Sequence, residues 1–119
     1  MVTWEDVRGL ALALPEVAEG TAYGHPAFRV RGKLLGGESV REGGALFVRC
    51  DRDERPFLIE SRPELYYVTP HFQSSQFLLV RLDAVEPDDV AERLEDAWLL
   101  TAPRRLVAAF AEGKRSALS

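Results

Sequence analysis

Three cations stand at alternate positions in the stretch AYGHPAFRVRGK: Arg29, Arg31 and Lys33. Alternation is the period of a strand, so an extended backbone would project all three from one face. Guanidinium and ammonium groups on such a face bind phosphate oxygens through charge-assisted hydrogen bonds. Arg49, on a later strand, and Arg41, in a turn, are placed to join them. Arg104 and Arg105 open the last helix, where two cations oppose the macrodipole and so point to an anion or a partner. These seven residues are the nucleic-acid-binding candidates, with DNA backbone phosphates as the expected contact. The same pattern also describes the solvated face of an ordinary sheet. A bulge at Gly32 would turn Lys33 to the opposite face.

A second group is aromatic. Tyr67 and His71 border the fourth expected strand, Arg81 lies on the fifth, and Trp98 lies late in a long helix. With His25 they could line a small ligand pocket or a protein-interaction surface. The competing reading packs the aromatic residues into the core and leaves His71 in a loop. His25 precedes Pro26, which holds it extended at a strand entry. No Ser or Cys nucleophile is placed by motif beside either histidine, so no catalytic triad is expected. GKLLGG is not a phosphate-binding P-loop, and GxGxxG, GxSxG and HExxH do not occur. The expectation is a non-enzymatic binding protein with no cofactor and no catalytic or metal-ligating residues.

Bulk properties narrow the classes further. The chain has 119 residues, enough for one domain with its own core. Cys50 is the only cysteine, so neither an internal disulfide nor a thiolate cluster can form, and two histidines supply a zinc site poorly. No apolar run approaches the length of a membrane span. The opening MVTWED is acidic where a secretory signal is basic, so a cytoplasmic chain is expected. Net charge is −4, against an overall basic nucleic-acid footprint. The charge is uneven, however: residues 1–28 carry one cation and four acids, residues 29–62 eight and six, and residues 63–119 six and nine. The middle third is the positive part. The expected assembly state is a monomer or weak homodimer.

The elements that must position these residues follow from period and capping. Thr3 with Asp6 three positions on forms an acidic capping box, and Trp4, Val7, Leu10, Ala11 and Leu14 recur at helical spacing until Pro15. Residues 15–23 read as a loop. Phe28 and Val30 alternate with Arg29 and Arg31 as a half-buried strand. Residues 33–37 read as a second strand weakened by Gly36-Gly37, and residues 45–50 as a strong third. Asp51 or Asp53 caps a short helix, and residues 65–69 and 77–82 are strands four and five. Pro87, Asp88 and Asp89 start a long helix; Thr101-Ala102-Pro103 interrupts it, and Gly113 ends its continuation. The expected fold is α+β: a five-stranded antiparallel sheet with helices on one face, in the order α-β3-α-β2-α.

Several stretches, taken in order, resemble the MmcQ/YjbR-like family: ALALPEVAEG at 11–20, GHPAFRVRGKLLGG at 24–37, YYVTPHF at 66–72, LLVRLDAV at 78–85 and LEDAWLLTAPRRL at 94–106. The stretch 24–37 is the most specific. The resemblance implies a bacterial protein with the α-β3-α-β2-α arrangement, comparable with secretion-chaperone-like folds. Members are commonly labelled DNA-binding through an arrangement called a double wing, and no catalytic constellation accompanies that label. Many members carry a tryptophan entering the fifth strand, where this chain has Ser75-Gln76-Phe77.

Overall fold

The computed structural model describes residues 1–118; Ser119, the end of the expected domain, lies outside them. Four helices and six strands follow in chain order: α1 Trp4–Leu12, β1 Val17–Ala22, β2 His25–Val30, β3 Lys33–Ser39, β4 Ala45–Arg49, α2 Glu54–Ser61, β5 Tyr66–Tyr67, β6 Phe77–Val80, α3 Pro87–Thr101 and α4 Arg104–Leu118. The strands form one antiparallel sheet in the order β1-β2-β3-β4-β6-β5. The class is α+β, as expected, with six strands rather than five.

The additional strand is β1, in the segment expected to be a loop. Four of its six side chains are exposed, so it carries no apolar alternation to betray it. It exists because β2 offers a full ladder from Val17↔Val30 to Ala22↔His25. The connection is Tyr23-Gly24, both with positive φ (54° and 81°), the two-residue turn whose twist suits a hairpin. Arg31-Gly32 repeats that geometry between β2 and β3 (φ 50° and 82°). Gly113, expected to stop the last helix, instead lies within α4.

Pleat alternation divides the strand side chains between two faces. Phe28, Val30, Leu46, Val48, Leu78, Val80 and Tyr66 point to one core, against Val7 and Ala11 of α1 and Val90, Leu94, Ala97 and Trp98 of α3; Leu58 and Ile59 of α2 and Leu106, Val107 and Phe110 of α4 complete it. All four helices therefore serve one side of the sheet. Residues in the alternate register, Ala45, Phe47 and Leu79, with Leu34, Tyr67, Phe72 and Phe77 partly buried around them, form a thinner cluster on the other face. A β-bulge at Leu35 lets β3 serve both: the register passes from Phe28↔Gly36 to Arg29↔Leu34. Leu35 is buried in the helix-side core, while Leu34 lies on the open face. Gly37 sits opposite Phe47. A Cβ there would come within 2.8 Å of Pro26 O and 3.0 Å of Phe47 Cζ, so its absence gives the ring its place on the sheet.

Candidate binding site on the open sheet face

The open face is walled by the segment 68–76, and two arginines of the α2 region hold that wall. Arg55, buried at the start of α2, donates from Nη1 to the carbonyls of Phe72 (3.3 Å), Ser75 (2.9 Å) and Phe77 (3.0 Å) and from Nη2 to that of Gln73 (2.8 Å). Arg52 Nη2 donates to Ser74 O at 3.0 Å. Ser75 Oγ closes the turn internally, donating to Phe72 O (2.6 Å) and accepting from Phe77 N (3.2 Å). A buried guanidinium needs acceptors for its donors; here backbone carbonyls fill that role, and the loop is fixed as a consequence.

Between this wall and the β1–β2 hairpin lies a pocket of about 540 Å³. Its floor is apolar: Leu34, Phe47, Phe72 and Phe77. Phe47 meets Phe77 edge-on with centroids 5.3 Å apart, and Phe72 lies 6.0 Å from Phe47. His25, Arg41 and His71 bring polar groups to it, and Tyr23 stands on its rim. Arg41 Nη1 donates to His71 Nδ1 at 2.8 Å. Arginine has donors only, so Nδ1 is the accepting atom of this contact. The His71 ring also meets the Phe72 ring edge-on at 5.2 Å.

The expected phosphate-binding cations do not share one surface. Arg31 occupies the hairpin turn and forms a two-point pair with Glu16, at 2.5 Å and 3.1 Å. That pair holds the Glu16 carboxyl below its usual range and raises the Arg31 guanidinium. Lys33 lies directly opposite Val30; cross-strand partners share a face, so the turn places it on the helix side, away from Arg29. Arg104 and Arg105 begin α4 in the helix layer and make no ion pair among the described residues. Only Arg29, Arg49 and Arg41 belong to the open face. Arg29 Nη1 donates to Thr21 O at 2.9 Å. Arg49 donates from Nε to Leu34 O (3.0 Å) and from Nη1 to Gln76 Oε1 (3.1 Å), with its guanidinium carbon 5.1 Å from the Phe77 centroid. Partial burial lowers the Arg49 pKa.

The aromatic group also divides. His25 and His71 do line one pocket. Tyr67 lies beside it under Arg81, whose guanidinium carbon is 4.0 Å from the ring centroid, and these two line a separate depression with Glu42 and Asp83. Burial raises the Tyr67 pKa, against the pull of Arg81. Trp98 is fully buried on the helix side, donating from Nε1 to Pro15 O at 2.9 Å and packing on Phe110 at 4.8 Å. It is a core residue and has no part in the pocket. No cluster of three or more His, Cys, Asp or Glu able to hold a metal occurs among the described residues.

Sequence reasoning passed over Phe47, Phe72, Phe77, Tyr23 and Arg55. The signal for Phe47 and Phe77 was that β4 and β6 are apolar on both faces, which describes a sheet covered on both sides. Arg55 gave no signal, because its acceptors are backbone carbonyls that no side-chain pattern encodes.

The fold and site together define a class: an α+β module with one helix-covered sheet face and one face carrying a loop-walled pocket. A family model, YjbR, matches residues 12–100, and the chain belongs to the YjbR family. It is 36% identical, over 127 aligned positions, to the uncharacterized proteins Rv2570 of Mycobacterium tuberculosis and Mb2600 of Mycobacterium bovis, covering 92% of this chain and 96% of each relative. The crystal structure of Deinococcus radiodurans protein DR2400, described as a DUF419 domain, superposes with a TM-score of 0.70 at 20% identity, covering 84% of this chain and 78% of that one. That likeness bears on the fold alone. No helix among the described residues is long and apolar enough to cross a membrane.

Proposed function

We propose that the chain is a non-enzymatic binding protein that takes a small ligand in the pocket on the open sheet face. The observation that carries this reading is the pocket itself: about 540 Å³, with an apolar floor of Phe47, Phe72 and Phe77 and polar groups at His25, Arg41 and His71. A mainly apolar cavity with a few convergent polar groups is the usual form of a small-molecule site. Isotope-labelled protein titrated with a chemically mixed fragment set tests it. Amide shifts should concentrate at residues 23–25, 41 and 71–75. Shifts confined to the helix layer, or none with any fragment, would overturn it.

Nucleic-acid binding is the second reading, favoured by Arg29 and Arg49, which flank Leu34 on adjoining strands of the same face. Each neutralised phosphate contributes about −0.9 to the log–log salt slope. Arg29 and Arg49 alone predict a slope near −2, whereas all seven candidate cations acting together would give about −6. Lack of retention of single-stranded or duplex DNA at low salt would remove this reading and leave the pocket untouched.

A further inference from the structure

We infer that the pocket's ligand is a small planar aromatic carboxylate, its ring lodged between Tyr23 and the phenylalanine floor and its charge held by Arg41. This rests on the pocket being a ligand site, as proposed above, and adds the chemistry of the occupant.

Tyr23 supplies the first argument. It occupies the first position of the β1–β2 turn at φ 54°, a left-handed conformation that favours Gly, Asn or Asp. Its side chain is 97% exposed and makes no ring or cation contact among the described residues. An aromatic residue in this position contributes no packing to the hairpin and exposes a large apolar ring. On the rim of a cavity whose floor is Phe47, Phe72 and Phe77, it forms the fourth aromatic wall, and the group that fills such a space best is a flat ring.

Charge supplies the second. Arg41 pairs with no carboxylate among the described residues. One of its nitrogens is held by His71 Nδ1 at 2.8 Å, which leaves its other donors for a ligand. Arg41 is the one lysine or arginine lining the pocket among the described residues. One anionic group placed there is compensated; a polyanion would bring further charge with no second cation in the lining to meet it. The two-point geometry of guanidinium with carboxylate suits a monoanion.

Three probes separate the parts: naphthoate, its neutral isostere naphthamide, and cyclohexanecarboxylate, each titrated into labelled full-length protein. Naphthoate should perturb residues 23–25, 41 and 71–75 and bind about tenfold more tightly than naphthamide, as expected for one charged hydrogen-bonded contact. Arg41→Gln should erase that difference. Tyr23→Ala, at an exposed turn position, should weaken both naphthyl probes alike by about threefold. Equal binding of naphthoate and naphthamide at these residues would overturn the carboxylate and leave the pocket standing. Cyclohexanecarboxylate binding as tightly as naphthoate would overturn the aromatic ring. Absence of a footprint with these probes, while the mixed fragments do bind there, would overturn the inference alone. Absence with every compound would overturn the pocket reading as well.

Discussion

The two faces of this sheet are held by different physics. On the helix side, Phe28, Leu46, Leu78, Leu94 and Trp98 are almost wholly withdrawn from water and pack against all four helices. On the other side the buried apolar cluster is the small set Ala45, Phe47 and Leu79, and the loop above them is tied down by guanidinium-to-carbonyl hydrogen bonds from Arg52 and Arg55. The first face derives its stability from area removed from water, which is large and forgiving of detail. The second depends on a few directional bonds around a cavity that packing leaves open. Stability and binding thus fall to opposite faces, and a substitution can be aimed at either.

The largest effect is expected on the helix side. Trp98→Ala removes a fully buried indole and its bond to Pro15 O and should cost about 4 kcal/mol, read as a lower denaturation midpoint. Arg55→Met comes next. It removes the four hydrogen bonds that two guanidinium nitrogens make to the carbonyls of residues 72, 73, 75 and 77 and should cost about 2 kcal/mol. Its distinguishing mark is local: hydrogen exchange should accelerate in residues 69–76 and ligand shifts in the pocket should vanish, while the amides of α1 and α3 keep their protection. Equal loss of protection on both faces would show that the loop and core are one cooperative unit.

A smaller effect concerns the edge of the helix-side core. Burial, reinforced by Glu54, pushes the Cys50 thiol up to about 11 from 9.0. The raised folded value means the stabilisation is complete below about pH 9 and is withdrawn as pH climbs toward 11. The loss should be on the order of 1 kcal/mol within that window, and Cys50→Ala should flatten it. The buried thiol should also resist alkylation at neutral pH until the protein unfolds. The smallest effect is at the exposed turn. Glu16→Gln breaks the pair with Arg31, yet exposed pairs contribute little. The Glu16 carboxyl is held below its usual range, so any contribution is present above the ordinary carboxylate pKa. It is lost as pH falls through the lowered value. A marked drop in midpoint near neutrality would show that this hairpin matters more to the sheet than its exposure suggests.

The two faces were also unequally legible in the sequence. Helix-side positions announce themselves by period: the Thr3–Asp6 capping box is present in the structure as read, and Phe28 with Val30 alternates toward the core. Strand β1 was hidden because its side chains are exposed and its existence depends on a ladder to β2. The turn at Arg31-Gly32 was likewise invisible in the alternation of Arg29, Arg31 and Lys33, which reads as one strand face until the positive φ values interrupt it. The pocket was half visible. His25 and His71, grouped in the sequence, line one pocket, whereas Trp98, grouped with them for its chemistry, lies in the helix-side core. What holds the loop, Arg55 on backbone carbonyls, belongs to the folded chain alone.

The most direct test of the division is a crystal structure of the protein soaked with naphthoate. The account predicts density over Phe47 and Phe77, beside Tyr23, with the carboxylate against Arg41 and an unaltered helix layer. Density settled at Arg104 and Arg105, or an open face that stays empty while the ligand binds in solution, would contradict it.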